Sequence, residues 1–476
     1  MQKKYEQVME AVSLLIRNGA VQEGEKIPSV RAMAERMQLS MMTVLDAYRR
    51  LEADKIIESV PRSGYRVLPE SAAAKNCPPE AQTEPIRIRT SAVKSHAQTE
   101  ELLRAAARKD VVPLGAGLPV PKDMPCDELS RCAAREVRTL PEEANGYELG
   151  GGDYGLRRQI ARYMADSSCP QHPDDLLVTS GITQGLILAL RAVTSPGDLV
   201  AVESPGYYGF FSALNFLNLN AVEIPSSPTN GIDIPRLTGL VGSGTIPKAL
   251  IVAPTCANPS GSVIPESSRK KLVALTKKNR IVLIEDDTYG NLYFDNHRPA
   301  PLKAFSPDDI IYLGSFSKTI APGYRIGWVA GGKYADDIRR CYAMSALALP
   351  VLTQRAVCRY LEKGGMNRHL QKLRRKYQSN IGRMQEAVAE HFPEGTQSSR
   401  PAGGHFLWIR LPGKSDALVL AKQALKKNIS IAPGPLFSSR QHYKRYFRLN
   451  CALTWSTPVA EAVATLGKLA NRLHQP

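Results

Sequence analysis

This chain of 476 residues has no apolar run approaching the length of a membrane span, which argues against an α-helical membrane protein. Its eight cysteines are scattered, with no C-x-x-C pair and no metal-ligand spacing. Neither a disulfide framework nor a metal site is therefore expected. Met1 begins a polar amphipathic segment rather than a signal peptide, so the expectation is a cytoplasmic protein with reduced thiols. No internal repeat is visible. Acidic residues are the scarcer charge, 45 against 62 Lys and Arg, for a formal net charge of +17. That excess is not spread evenly. Residues 1–68 hold 11 Lys and Arg against 9 Asp and Glu. The surplus lies mainly further on, in a cluster at Arg368, Lys372, Arg374, Arg375 and Lys376 and another at Lys422, Lys426 and Lys427. A basic helix face is usually a solvated one.

What is present is more specific. The segment Ser315-Phe-Ser-Lys318-Thr-Ile-Ala-Pro-Gly-Tyr-Arg325 places a lysine on a polar loop after an apolar run at 310–313. Two hydroxyls precede the amine and a guanidinium follows it. An aldehyde bearing a phosphate needs this set: an amine to condense with the carbonyl, and hydroxyl and bidentate cationic donors for the phosphate. Pyridoxal phosphate is the candidate that meets both demands.

Three further runs, at 199–202, 249–253 and 280–284, are also apolar on both faces and separated by helical stretches. They read as a parallel sheet covered on both sides, with ligands gathering beyond the carboxyl ends of the strands. After the third of these runs comes Glu285-Asp286-Asp287-Thr288-Tyr289. It offers a carboxylate for a pyridine nitrogen and a phenol for the ring's 3-oxygen. After the run at 249–253, the turn holding Asn258 can reach the same oxygen, although Asn-Pro and Ser-Gly pairs are also ordinary turn chemistry. After the run at 199–202, Tyr207 stands on a tight turn, suited to stacking on a flat ring or to packing in the core. Ser180-Gly-Ile182-Thr183 opens an apolar helix, whose free N–H groups and dipole suit an anion.

In that order, these residues resemble the class I, fold-type I pyridoxal-phosphate aminotransferases, nearest the branch of aminoadipate and kynurenine transaminases. The resemblance spans roughly 111 to the end of the chain. It implies that Lys318 carries the cofactor and moves a proton at the substrate's α-carbon. It also implies that Asp286 pairs with the pyridine nitrogen, Asn258 and Tyr289 hold the 3-oxygen, and Tyr207 stacks on the ring. Ile182 and Thr183 (by backbone), Ser315, Ser317 and Arg325 would hold the phosphate. Tyr147 matches a tyrosine that reaches the phosphate of a partner subunit, and Arg448 the arginine that grips an α-carboxylate, with Asn258 beside it. The stretch Pro401-Ala-Gly-Gly404-His-Phe-Leu-Trp408 fits the smaller C-terminal subdomain.

A transaminase of that branch has no need of the first part of this chain. Tyr5, Val8, Val12, Leu15 and Ile16 recur at helical spacing. Ser29 caps a second helix carrying Ala32, Met33, Ala34 and Met37, and Ser40 caps a third with Val44, Ala47, Tyr48 and Leu51 on one face. Two short helices across a brief turn form a helix-turn-helix, and 56–58 and 64–67, joined around Pro61 and Ser63, read as a β-wing. These 68 residues resemble the GntR winged helix through Lys26-Ile-Pro-Ser-Val-Arg31, Ser40-x-x-Thr43-Val44, Arg49-Arg-Leu-Glu and Ser63-Gly64-Tyr-x-Val67. The resemblance implies DNA contacts by Arg31, Ser40 and Thr43, with Gly64 at the wing approaching the minor groove. Met41 and Leu45 stand where such proteins often place arginines, which puts the operator sequence, not the groove-binding geometry, in doubt.

Together the two resemblances match the MocR regulators. The expected fold class is α/β: a winged helix-turn-helix head and a fold-type I PLP-dependent transferase body, with a mainly parallel sheet sandwiched by helices. The expected divisions are 1–68 as DNA-binding head, 69–110 as Ala-, Pro- and polar-rich linker with a short helix near 99–108, and 111–476 as cofactor-binding and effector domain. The expected function is a PLP-dependent transcriptional regulator, cytoplasmic and nucleoid-associated when bound to DNA. Its expected partners are double-stranded DNA, an effector that is a small amine, an amino acid or PLP itself, and a second copy of the chain. The alternative is a working amino acid transaminase with an accessory head; at most weak or half-transamination is expected. The family's GABA-responsive members carry a second arginine two residues after the stacking tyrosine. Gly209 stands there instead, which disfavours GABA-type ligands. The basic clusters of the body are expected to add electrostatic attraction to passing DNA.

Overall fold

The computed structural model describes residues 4–17, 21, 24–53, 56–60, 64–67, 90–92, 97–295 and 297–474. Chain contacts divide the molecule into a unit ending at Cys77 and a second beginning at Pro78.

Among the described residues the first unit holds three helices, α1 (Lys4–Arg17), α2 (Val30–Met37) and α3 (Met41–Ala53), then strands β1 (Ile57–Val60) and β2 (Gly64–Val67). Ser29 caps α2 by accepting from the Ala32 N–H, an interaction typically worth about 1 kcal/mol. The turn is made by Gln38 in the left-handed region (φ 52°), and the Ser40 hydroxyl caps the Thr43 N–H. The apolar residues expected to share a face do so. Val8, Val12, Met33, Ala34, Val44, Ala47, Tyr48 and Leu51 are buried in one core with Ile57 and Val67 of the wing. The Tyr48 phenol spans this core to donate to the Pro28 carbonyl at 2.7 Å, which fixes the entry to α2 on α3. β1 and β2 pair antiparallel, Ile57 with Val67 and Val60 with Gly64. Pro61 and Ser63 of the expected wing turn, and the Ile16 side chain, lie outside the described residues.

The second unit is built on a sheet of nine strands among the described residues. In chain order they are β3 (Thr90–Ala92), β4 (Leu176–Ser180), β5 (Leu199–Ser204), β6 (Asn220–Ser227), β7 (Gly231–Ile232), β8 (Ala249–Val252), β9 (Val282–Asp286), β10 (Ile310–Ser315) and β11 (Ile326–Ala330). The order across the sheet is β3-β6-β5-β8-β9-β10-β11-β4, with β7 on β6. The four apolar runs of the sequence are thus four adjacent strands, β5, β8, β9 and β10, paired parallel. Both faces are covered, as their lack of alternation requires. Val200, Val202, Ile251 and Ile284 pack with Leu186, Leu190 and Phe210, while Ala201, Leu250, Val252 and Leu283 pack with Leu237 and Leu272.

The stretch 69–110 was expected to be mostly linker. The short helix expected near 99–108 is present as α4 (Ala97–Ala107), anchored by Leu102 in a core with Trp408 and Phe437, while the element not expected is β3, which pairs antiparallel with β6 at the edge of the sheet. Three residues of strand are too short a signal to stand out in a polar, Ala-rich segment. A smaller C-terminal layer follows: β12 (Gln397–Ser398), β13 (Phe406–Arg410), β14 (Ala432–Pro433) and β15 (Tyr446–Asn450), in the order β12-β13-β15-β14. It packs on the long helix α5 (Met366–His391) and the last helix, Thr457–His474, through Leu407, Ile409, Phe447, Leu449 and Val463. No helix of the described residues is long and apolar enough to cross a membrane.

The basic cluster on α5 is not one surface. Arg374 turns inward to donate to the Asn291 carbonyl (2.8 Å), and Lys376 pairs with Asp123. Arg368, Lys372 and Arg375 remain exposed. Consecutive helical residues point about 100° apart, so a run of charges divides between core and solvent.

Candidate functional site

Parallel strands end together, and the polar residues after them converge. Ile182, Thr183, Tyr207, Asn258, Asp286, Tyr289, Ser315, Ser317, Lys318, Arg325 and Arg448 all line one cavity of about 180 Å³. Of the residues expected to serve cofactor or substrate, Tyr147 alone is elsewhere: it stands on a loop, 83% exposed, and does not line the cavity.

One end of the cavity is made for an anion. Gly181, at φ +76°, precedes the helix Ile182–Val193, whose first N–H groups have no intrahelical partner. Arg325 donates to the Ser317 hydroxyl (3.1 Å) and the Ser180 carbonyl (3.2 Å), and Ser315 Oγ accepts from the Ser317 N–H (3.1 Å). A Cβ on Gly181 would lie 2.2 Å from the Arg325 guanidinium. The glycine is therefore required twice, for its positive φ and for the room it leaves. Gly181→Ala should displace Arg325 and weaken pyridoxal phosphate retention on the order of tenfold or more, measured by cofactor fluorescence after dialysis. Retention equal to wild type would show that Arg325 does not hold the phosphate.

At the centre, Lys318 donates to the Gly117 carbonyl at 2.7 Å. Burial, then the nearby Arg448 and Arg325 charges, push its amine down to about 8. Asp286 lies across the cavity and accepts from the Thr288 N–H (2.9 Å); burial raises its carboxyl to about 6. The nucleophile toward an aldehyde is the neutral amine, whose fraction grows as pH rises through the lysine's pKa. The rate of pyridoxal phosphate capture by the cofactor-free protein should thus rise between pH 6 and 9, with its midpoint near 8. Stopped-flow absorbance would check this; a flat profile, or a midpoint near 10, would remove the basis for a tuned lysine.

The far end holds Arg448, fully buried on β15 between β13 and β14. It donates to Asn258 Oδ1 (2.7 Å) and the Gly115 carbonyl (2.5 Å), and its guanidinium lies 4.2 Å over the Phe406 ring. Nε has no hydrogen-bond partner. A buried guanidinium with a spare donor at a cavity wall is suited to a ligand carboxylate. Tyr289 stands edge-on to Phe406, and Tyr207 lies 4.6 Å from the ring of Tyr208. An amine, an anion pocket, a carboxylate and two phenols in one cleft fit pyridoxal phosphate.

Sequence reading missed several contributors. Gly117 supplies the lysine's acceptor, and Leu103, Leu118 and Tyr208 line the cavity. His405 is fully buried against Tyr289, Tyr377 and Phe406; burial, then Lys318 and Arg448, hold its imidazole far below the usual range. The run Gly115-Ala-Gly117 was the available signal, since a Cβ on Gly115 would meet the Ile431 backbone at 2.5 Å.

In the first unit, Arg31 is exposed and pairs with Glu35 (3.2 Å), an exposed i,i+4 pair of little energetic weight. Ser40 and Thr43 share a hydroxyl contact (2.8 Å) at the start of α3, and Gly64 opens β2 at φ +89°. Met41 and Met42 are 59% and 71% exposed, so the helix start presents apolar, not cationic, side chains.

Comparison with known proteins divides the chain as its fold does. The family model for aminotransferase class I and II matches residues 109–466, and that for bacterial regulatory proteins of the gntR family matches 4–67. The uncharacterised HTH-type transcriptional regulator YjiR of Escherichia coli strain K12 is 36% identical over 471 residues, covering 98% of this chain and 99% of its own. Among solved structures, the Pyrococcus horikoshii kynurenine aminotransferase in complex with PMP superposes with a TM-score of 0.75 at 28% identity. It covers 80% of this chain and 96% of its own. LysN, the α-aminoadipate aminotransferase of Thermus thermophilus, complexed with N-(5'-phosphopyridoxyl)-L-leucine, gives 0.74 at 29%, covering 80% and 95%.

Proposed function

Because the chain belongs to the MocR-type regulators, a gntR head on an aminotransferase class I and II body, we propose that it is a pyridoxal-phosphate-dependent transcriptional regulator. The head binds double-stranded DNA, and an amino compound at the body's cavity changes that binding. The observation that carries this reading is a cavity lined by Lys318, Asp286, Arg325 and Arg448 on the same chain as a packed winged helix. A complete head has no use in transamination.

When bound, the cofactor supplies an electron sink for negative charge at the α-carbon of an attached amine. The chain's residues do the rest. Ser315, Ser317, Arg325 and the Ile182 and Thr183 N–H groups would hold the phosphate, and Asp286 would pair with the pyridine nitrogen. Asn258 and Tyr289 would hold the 3-oxygen, and Tyr207 would stack on the ring. Lys318 anchors the cofactor and is placed to move a proton at the α-carbon, while Arg448 orients the ligand through its α-carboxylate. These residues also permit half-transamination. Ligand binding favours one arrangement of the body, and a shift of about 1–3 kcal/mol suffices for regulation.

The acting species is a homodimer in the cytoplasm, associated with the nucleoid when on DNA. Supporting this, Tyr147 and Leu149 project 83% and 66% exposed from one loop, as a side chain destined for a partner's phosphate site would. Arg31, Ser40, Thr43 and Gly64 lie at DNA. Arg368, Lys372 and Arg375 add attraction, in place of a continuous cluster through Arg374 and Lys376.

Selection of duplexes from a random pool tests the reading. The wild-type protein should enrich a two-half-site sequence. Thr43→Glu, a charge at the phosphate-facing start of α3, should weaken binding to it at least about a hundredfold with cofactor content unchanged. No enriched sequence would end the regulator reading and favour the transaminase.

A further inference from the structure

We propose that the cavity takes an amino acid with an apolar side chain, and that Leu103 selects it. This rests on the proposed regulator reading, whose effector it narrows. Three cations line the cavity, and each is engaged: Lys318 with the Gly117 carbonyl, Arg325 with Ser317 and Ser180, and Arg448 with Asn258 and Gly115. Once the first two hold the cofactor and the third an α-carboxylate, no lining cation among the described residues remains for a second carboxylate. A dicarboxylic ligand would lose water from its distal group without a partner, which is costly. The turn after Tyr207 cannot supply one either, because a Cβ on Gly209 would lie 2.3 Å from the Tyr207 ring.

What remains is uncharged and mostly apolar: Leu103, Ala116, Leu118, Phe210 and Ala253, with Thr288 and with Tyr208, whose phenol is engaged by Arg448. Leu103 and Leu118 are 53% and 49% exposed in the single chain, and a ligand side chain would cover them. Within α4 the two leucines divide their tasks. Leu102, 4% exposed, anchors the helix on Trp408, while Leu103 reaches the cavity.

The position of Leu103 also makes it a reporter. It sits on α4, which follows β3, the first described strand of the second unit in chain order. Ser91 of β3 shares a hydrogen bond with Ser439 (3.2 Å), which donates to the buried Glu223 (2.7 Å). Two residues before Ser439, Phe437 lies under the Arg448 guanidinium at 5.2 Å. A ligand that covers Leu103 therefore touches α4 directly, and one that grips Arg448 adjoins the Phe437–Ser439 segment against which β3 rests.

The test titrates the cofactor-loaded, full-length protein with L-leucine, L-phenylalanine, L-glutamate and L-lysine, following the absorbance of the bound cofactor. Leucine and phenylalanine should bind at least about tenfold tighter than glutamate or lysine. Leu103→Ala should weaken leucine about tenfold and leave glutamate unchanged, and Leu103→Met should restore leucine. Leu103→Arg should instead favour glutamate. Cofactor content of each variant separates misfolding from lost selectivity. Glutamate binding as tightly as leucine, or Leu103→Ala weakening every amino acid alike, would overturn the inference and leave the regulator reading standing. No absorbance change with any amino acid would overturn both.

Discussion

Replacing Lys318 with alanine will abolish the absorbance of lysine-bound pyridoxal phosphate and leave the protein folded. The amine is the group at the cavity's centre able to hold the cofactor covalently, and no other lysine among the described residues lines it. The stability difference between wild type and variant in the cofactor-free protein should depend on pH. Lys318 is held from 10.5 down to about 8, so at neutral pH folding must keep a disfavoured charge in place. Each unit of such a shift corresponds to about 1.36 kcal/mol. Below pH 8 the charged amine thus costs roughly 3 kcal/mol relative to the neutral one. For a base whose folded pKa is lowered, this cost is fully present below the folded value and fades between about 8 and 10.5. Relative to the cofactor-free Lys318→Ala variant, wild type should therefore gain up to roughly 3 kcal/mol of stability as pH rises from below 8 to above 10.5. Denaturant melts at two pH values measure it. A variant that keeps the lysine-bound absorbance, or that unfolds, would contradict the assignment.

The second large effect belongs to Arg448. Its truncation to alanine should weaken binding of an amino acid by at least about a hundredfold, in line with the roughly 2–5 kcal/mol cost of removing one partner of a buried charge pair. The amine lacking the carboxylate should bind wild type and variant nearly alike. That comparison matters because Arg448 is also structural: alanine strands Asn258 Oδ1 and the Gly115 carbonyl, which lose their donor. Arg448→Lys keeps a charge but not the fork, and should recover only part of the affinity. Equal losses for the amino acid and its decarboxylated amine would mean that the arginine supports the fold and does not read the ligand.

Much of this was legible in the sequence for a simple reason. A strand buried on both faces must be apolar throughout, so the four runs could be found, and ligands of parallel sheets lie at strand ends, so Asn258, Asp286, Lys318 and Tyr207 could be picked out together. The head was legible because Ser29 and Ser40 cap helices by local chemistry. Elsewhere the local signal was weaker than the tertiary one. β3 is three residues long and exists through its pairing with β6. Leu103 looks like any helix leucine until the cleft beside it is known. The charges at Arg374 and Lys376 read as surface, yet their positions on α5 turn them toward Asn291 and Asp123. Tyr147 is legible by resemblance alone, and in the single chain it does not line the cavity.

The most direct test of the regulator account measures DNA affinity of the full-length, cofactor-loaded protein with and without a saturating amino acid, while assaying keto acid release in the same samples. The account predicts that the ligand changes DNA affinity about 5- to 150-fold, with at most one equivalent of keto acid per cofactor. Sustained keto acid production with unchanged DNA affinity would contradict it and identify a transaminase that carries a head it does not use.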